Sequence, residues 1–165
     1  TVAKVFKIDK KIIDKVLKEF KGIPNRQEFI GEKNGVKYFN DTTATNPGAA
    51  KMTLDFFSKK FPESRIILIA GGQDKDLEYK EFVKAIKEKV DNLVLFSGSA
   101  SDKIKKELGD FVFSTVSSME EAVKKSASLA KRGDIVILSP AAASFNLFNN
   151  EFDRGNQFVE AVRKL

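Results

Sequence analysis

Asn40-Asp41-Thr42-Thr43-Ala44-Thr45-Asn46-Pro47 is the stretch on which the reading of this chain turns. An apolar run, Val36-Lys37-Tyr38-Phe39, leads into it, and a helical pattern carrying Ala50, Thr53, Leu54 and Phe57 leads out. A strand ends, a polar turn follows, and a helix opens. Asn46 is a favoured N-cap, and Pro47 has its φ pre-set for the first helical position. The free amides of that helix start, at the positive end of its dipole, favour an anion nearby. Thr42, Thr43, Thr45 and Asp41 add hydroxyls and a carboxylate beside those amides. The same residues would also serve a turn that only caps the helix, and the stretch by itself leaves both readings open.

Working outward, the pattern after Asn46 alternates strand and helix. Arg65-Ile66-Ile67-Leu68-Ile69-Ala70 ends in Gly71-Gly72, and Leu93-Val94-Leu95-Phe96 ends in Ser97-Gly98-Ser99. Phe111-Val112-Phe113 ends in Ser114-Thr115, and Ile135-Val136-Ile137-Leu138 ends in Ser139-Pro140. Continuous apolar runs of this kind mark strands buried on both faces. Helical patterns fill the gaps: Phe82, Val83, Ile86 and Val90; Ser101 through Ile104 and Leu108 to Gly109; and Ala122, Val123 and Ala130 behind a capping box at Ser118-Met119-Glu120-Glu121. The last helix carries Phe158, Val159, Val162 and Leu165, after a polar loop from Phe148 to Asn156. The alternation predicts an α/β domain with a mostly parallel sheet flanked by helices.

Upstream of the opening stretch, Gln27–Glu32 and Val36–Phe39 flank Lys33-Asn34-Gly35, a strong hairpin signal. Before it, Asp9–Lys21 reads as an amphipathic helix with Ile13, Val16, Leu17 and Phe20 on one stripe, set apart by Gly22 and Pro24.

In an open parallel sheet, ligands bind beyond the carboxyl ends of the strands. Thr42–Asn46, Gly71–Lys75, Ser97–Ser99 and Ser139–Ser144 should therefore share one rim. In Gly71-Gly72-Gln73-Asp74-Lys75, the glycines permit close backbone approach, and Lys75 brings an ammonium suited to a carboxylate or phosphate. Ser139-Pro140-Ala141-Ala142-Ala143-Ser144 is small enough either to admit a ligand or simply to pack tightly. No complete phosphate-binding Gly-x-x-x-x-Gly-Lys-Ser/Thr loop and no Gly-x-Gly-x-x-Gly fingerprint is present.

Composition narrows the chemistry. The 165 residues suit one domain with a single core, and the chain contains neither cysteine nor histidine. Disulfides and thiolate ligands are thereby excluded, and the commonest general base and metal ligand are missing. The absence of cysteine and of a long apolar run fits a cytoplasmic location. The net charge of +6 comes from lysines scattered over helix faces, without the clustering and interleaved aromatics of a nucleic-acid binder.

Together, the motifs resemble the C-terminal domain of the Mur ligases, most closely the D-glutamate-adding branch. Gly22-Ile23-Pro24-Asn25-Arg26 is similar to the junction after the family's central ATPase domain, and Asn40–Asn46 to its Asn-Asp-Ser-Lys-Ala-Thr-Asn signature. Gly71–Lys75 is similar to its glycine-lysine turn. Ser139–Ser144 with Phe148 and Arg154-Gly155-Asn156 is similar to its Ser-Pro-Ala-x-Ala-Ser…Phe…Arg-Gly-x segment. The resemblance runs from about Phe20 to Leu165 and departs at Asn25, Thr43 and Glu151-Phe152, where histidine, lysine and Phe-Glu are common. It implies a Rossmann-like three-layer domain with an N-terminal hairpin over residues 27–165, preceded at 1–26 by a remnant helix and linker of the central domain.

It further implies a larger cytoplasmic enzyme of peptidoglycan synthesis that uses ATP and Mg²⁺ to phosphorylate a carboxylate of UDP-N-acetylmuramoyl-L-alanine. The amine of D-glutamate would then attack the acyl phosphate. By the same resemblance, Thr45, Lys75, Ser144 and Phe145 would hold D-glutamate, while Arg26 and Asp41 would reach the phosphates and ribose of ATP. No catalytic residue and no metal ligand would lie in this segment. Alone it would be inactive and monomeric, with no nucleic-acid or membrane partner. Two other readings remain: another Mur or folylpolyglutamate-type ligase domain, or a non-catalytic α/β module binding a small anion. The Asp-Asn-Pro-Arg signature of the diaminopimelate-adding branch does not occur.

Overall fold

A computed structural model describes residues 2–165; Thr1, the first residue of the expected 1–26 segment, lies outside the described part. The elements follow in the order α1 (Val2–Val5), α2 (Lys10–Glu19), β1 (Glu28–Lys33), β2 (Val36–Asn40), α3 (Pro47–Lys60), β3 (Ile66–Gly71) and α4 (Lys80–Lys89). Then come β4 (Asn92–Phe96), α5 (Ser99–Leu108), β5 (Phe113–Val116), α6 (Met119–Leu129), β6 (Ile135–Leu138) and α7 (Glu151–Arg163).

Six strands form one sheet in the order β1-β2-β6-β3-β4-β5. Only the β1–β2 pair is antiparallel; the four other pairings are parallel. The hairpin turns through Asn34 (φ 53°) and Gly35 (φ 79°), the positive-φ pair that a two-residue turn needs to match strand twist. Lys33 faces Val36 across it.

Strand periodicity divides the core in two. Ile66, Leu68, Ala70, Leu93, Leu95, Ile135 and Ile137 face one way, onto Leu54 and Phe57 of α3, Phe82 and Ile86 of α4 and Ile104 of α5. Ile67, Ile69, Val94, Phe96, Val136 and Leu138 face the other way, onto Met119 and Val123 of α6 and Phe158 and Val162 of α7. Three layers result. Ile67 and Ile137 are both fully buried, as strands covered on both faces require.

Differences from the sequence reading are local. The fifth strand spans Phe113–Val116 instead of starting at Phe111, and Val112 is 85% exposed. This is an edge strand with one neighbour, so apolar content does not mark its bounds. Helix α5 begins two residues earlier than expected, behind Gly98. The box at α6 is offset: Ser118 Oγ accepts from the Glu121 amide as anticipated, but the Glu121 carboxylate reaches the amide of Ser117. Helix α2, capped by Asp9, buries none of its residues and leaves Val16, Leu17 and Phe20 exposed. None of the described helices is long and apolar enough to cross a membrane.

The largest difference concerns Phe148–Asn156. Most of that stretch is helix: Asn150 caps α7 by accepting from the Asp153 amide, so Arg154, Gly155 and Asn156 sit in the first turns. Asn150-x-x-Asp153 was a readable start signal. Gly155 is there for space. A Cβ at this position would overlap Asn25 Oδ1, stand 2.6 Å from Thr42 Cγ2 and 3.1 Å from Asn40 Nδ2. Helix propensity alone favours Ala over Gly by about 1 kcal/mol. Gly155→Ala is nevertheless expected to destabilise the protein by about 1–3 kcal/mol, the range for overpacking, because it breaks the Asn40–Asn25 hydrogen bond. Urea unfolding of the variant measures the sign.

Candidate functional site

Three βα loops meet at the carboxyl ends of β2, β3 and β6, laced by backbone hydrogen bonds. The Ala141 amide donates to Ala44 O (2.9 Å) and the Gly71 amide to Pro140 O (2.8 Å). Gln73 and Ala143 exchange two such bonds, at 2.9 and 3.0 Å. Glycine is obligatory in this lacing: a Cβ on Gly72, at φ 136°, would overlap Ala143 O.

The lacing brings Lys75 over the first loop, where its Nζ donates to Thr45 Oγ1 at 3.3 Å. Thr45 and Lys75, from two different loops, thus face one space. Ser144 follows directly on the Gln73–Ala143 bridge, so its loop joins the same rim, with the residue itself buried. Phe145, next along, is 67% exposed.

Asp41 is almost fully buried. Its Oδ2 accepts from Thr53 Oγ1 (2.5 Å) and Ser139 Oγ (3.0 Å), and its Oδ1 from the Gln27 amide (3.2 Å). Burial pushes this carboxyl up; the three hydrogen bonds, and the positive charge of Arg26 nearby, offset the push only in part. Arg26 itself is exposed. It closes a turn in which its amide donates to Ile23 O across Pro24 and Asn25 (φ 64°). That turn is pinned to the rim: the Thr43 hydroxyl donates to Asn25 O at 2.9 Å.

Beneath the rim lies a residue that the local sequence pattern marks only as part of a polar loop. Arg154 is fully buried, yet meets no carboxylate within ion-pairing distance among the described residues. Its Nε donates to Thr42 Oγ1 (3.0 Å), its Nη2 to Thr42 O (2.9 Å) and its Nη1 to Ala142 O (3.2 Å). Thr42 Oγ1 in turn donates to Glu151 O at 2.8 Å. Burial lowers the guanidinium to about 10 against the pull of Glu151, so it is charged at neutral pH. One buried cation therefore joins the Asp41–Thr45 loop, the Ala141–Ser144 loop and the start of α7.

A second carboxylate, Asp74, is placed differently from Asp41. Its Oδ2 pairs with Lys103 Nζ at 2.6 Å, while Oδ1 accepts from the Tyr79 hydroxyl (2.9 Å) and the Leu77 amide (3.2 Å). Burial pushes this carboxyl up, but Lys103, Leu77 and Tyr79 outweigh it and hold Asp74 down at about 2. The described residues contain no group of three or more acidic, His or Cys side chains that could hold a metal ion.

Residues 25–142 match the sequence profile of the Mur ligase, glutamate ligase domain. The chain belongs to this family. Among curated relatives of this Mur ligase domain, the UDP-N-acetylmuramoylalanine–D-glutamate ligase of Caldicellulosiruptor saccharolyticus is 44% identical over 163 residues, covering 97% of this chain and 35% of the relative. The enzyme of the same name from Bdellovibrio bacteriovorus is 39% identical over 153 residues, covering 92% and 32%. The chain thus spans about a third of the length of the curated relatives it matches. Solved structures share the fold: the UDP-N-acetylmuramate–alanine ligase of Thermotoga maritima aligns with a TM-score of 0.72 at 17% identity, over 99% of this chain and 35% of that one. The MurF ligase of the same organism, in complex with ADP, aligns at 0.66 with 23% identity, over 99% and 36%.

Two outcomes follow from the site's electrostatics. Replacing Arg154 by Met leaves two buried carbonyls and a hydroxyl short of a donor, which should cost about 2–4 kcal/mol in urea unfolding; Lys, lacking the planar fork, should restore less than half. Asp74 titrates below its unfolded value of about 3.9, so its stabilisation is complete above pH ~4 and is lost as pH falls toward 2. Asp74→Asn should flatten that part of the acid limb, read from the urea midpoint between pH 4 and 2.

Proposed function

We propose that this chain is the domain of a cytoplasmic, ATP-dependent ligase that receives D-glutamate and presents its amine to an activated carboxylate of UDP-N-acetylmuramoyl-L-alanine, in peptidoglycan synthesis. The observation that carries the reading is Lys75. Among the described residues it forms no ion pair with a carboxylate, and its ammonium stands over Thr45 on a rim of small residues and helix starts. An ammonium so placed suits a carboxylate of the incoming amino acid. The Thr45 and Ser144 hydroxyls would fix the ligand's orientation, and Phe145 would lie along its exposed side.

ATP would supply the phosphoryl group that activates the acceptor carboxylate. The amine nitrogen then forms the amide bond as phosphate leaves, and the nitrogen's surplus proton passes to solvent or to a base elsewhere. This chain's own part would be binding and orientation. Arg26, exposed at the entrance turn, would face the nucleotide's phosphates. Asp41 accepts three hydrogen bonds and so retains about one of a carboxylate's roughly four acceptor sites for the ribose. Mg²⁺ ligands would come from the remainder of a longer polypeptide.

The exposed stripe of α2 fits the same picture. Residues 1–26 would pack against, and belong to, the preceding part of that polypeptide, with 27–165 as the amino-acid-receiving domain.

The decisive experiment uses the longer enzyme containing this chain. A surface ion pair contributes about 0–1 kcal/mol to folding, so Lys75→Ala should keep the thermal midpoint. Loss of a desolvated ammonium–carboxylate contact costs on the order of 2–5 kcal/mol, so the same variant should raise the KM for D-glutamate at least tenfold. A kcat/KM within twofold of the parent would remove Lys75, and the site with it. The chain by itself should neither hydrolyse ATP nor form an amide, as phosphate-release assays on purified protein would read.

A further inference from the structure

Lys75 is flanked in sequence by two carboxylates, Asp74 and Asp76, either of which is a ready partner for its ammonium. Neither takes it. Both are engaged instead by Lys103, from the first half of α5, whose Nζ lies 2.6 Å from Asp74 Oδ2 and 3.3 Å from Asp76 Oδ1. The turn geometry reinforces this division. The Asp74 amide donates to Ser99 Oγ (2.9 Å) at the start of α5, and Asp74 Oδ1 accepts from Leu77 and Tyr79, which closes the turn around Lys75. Asp76 takes a left-handed conformation (φ 58°) and is fully exposed apart from Lys103. Both acidic side chains are thereby held on the α5 side of the turn, and Lys75 is left toward Thr45.

We propose that Lys103 is a positioning residue for the amino-acid site: it occupies the two carboxylates beside Lys75 and so keeps that ammonium available to an anionic ligand. The proposal rests on the reading of Lys75 given above and adds the reason its charge is free. Without Lys103, two uncompensated carboxylates would flank Lys75, offering it an internal partner and repelling the carboxylates of an amino acid such as glutamate. The sites are partly exposed, so the effect is moderate and falls with ionic strength.

The test is a charge cycle in the longer enzyme containing this chain. Lys103→Met should raise the KM for D-glutamate roughly three- to tenfold, with kcat and the KM for ATP within twofold, and less so at 0.5 M KCl. Lys103→Arg should behave as the parent. The informative variant is Lys103→Met combined with Asp74→Asn: the amide still accepts from Leu77 and Tyr79 but carries no charge, so the KM should return most of the way to the parent value. A purely structural Lys103 predicts the opposite order, with the double variant worse than the single. An unchanged KM in Lys103→Met, or no recovery in the double variant, overturns the proposal.

A crystal structure of the Lys103→Met protein supplies a readout that does not depend on the assigned substrate. Lys75 Nζ within about 4 Å of the Asp74 or Asp76 carboxylate supports the proposal; Lys75 still on Thr45 with both carboxylates in solvent overturns it. Parent enzyme that turns over without any dependence on D-glutamate would instead sink the substrate reading, and the crystal structure alone would then decide the role of Lys103.

Discussion

The rim depends on one buried charge. Arg154 sits beneath it with no carboxylate among the described residues to neutralise it, and spends its guanidinium on the backbone and hydroxyl of Thr42 and on the carbonyl of Ala142. Loops rarely hold their shape through side chains of their own, because small residues have little to pack. Here the Ala141–Ser144 loop and the Asp41–Thr45 loop are shaped by a donor that comes from a third element. Arg fits where Lys would not, since its planar fork reaches two carbonyls at fixed separation. Gly155, beside it, lets α7 come close enough for the fork to reach. The desolvation cost of that buried cation is offset only while all three acceptors stay in place. The arrangement therefore resists loosening at any one of them.

The parallel sheet explains why those acceptors are neighbours. β2, β6 and β3 lie side by side and run the same way, so the residues after Asn40, Leu138 and Gly71 emerge together although they are far apart in sequence. The hairpin strand β1 covers one edge of this sheet, and the four-residue β5 ends the other, short enough to offer little template for further pairing.

Two aspartates on the rim illustrate how environment sets a carboxylate's part. Asp41 is deep, surrounded by hydroxyl and amide donors and, among the described residues, by no contacting cation, and its affinity for a proton rises. Asp74 lies nearer the surface against the Lys103 ammonium, and its affinity falls. Asp41 welds Gln27, Thr53 and Ser139 into one joint at the base of the loop. Asp74 shapes the turn that carries Lys75. Neither difference is visible in the residue type.

The sequence by itself determined the layers and the rim. Continuous apolar runs required strands covered on both faces, and Ile67 and Ile137 are buried accordingly. The Asn-Gly pair set the hairpin, the Asn46-Pro47 pair set the start of α3, and the parallel alternation put the polar turns that follow β2, β3 and β6 at one end. These features were legible because each rests on local stereochemistry or on a period of two or 3.6 residues. The β5 boundary was not, since an edge strand is held by backbone pairing more than by apolar burial. Only the tertiary structure decided that Arg154 is interior, that Asp41 is a joint, and that Lys103 takes the two carboxylates beside Lys75. Each of these depends on a partner 12 to 112 residues away, or on another element of the fold. No periodicity encodes such a pairing; it exists only once the chain has folded the partners into reach.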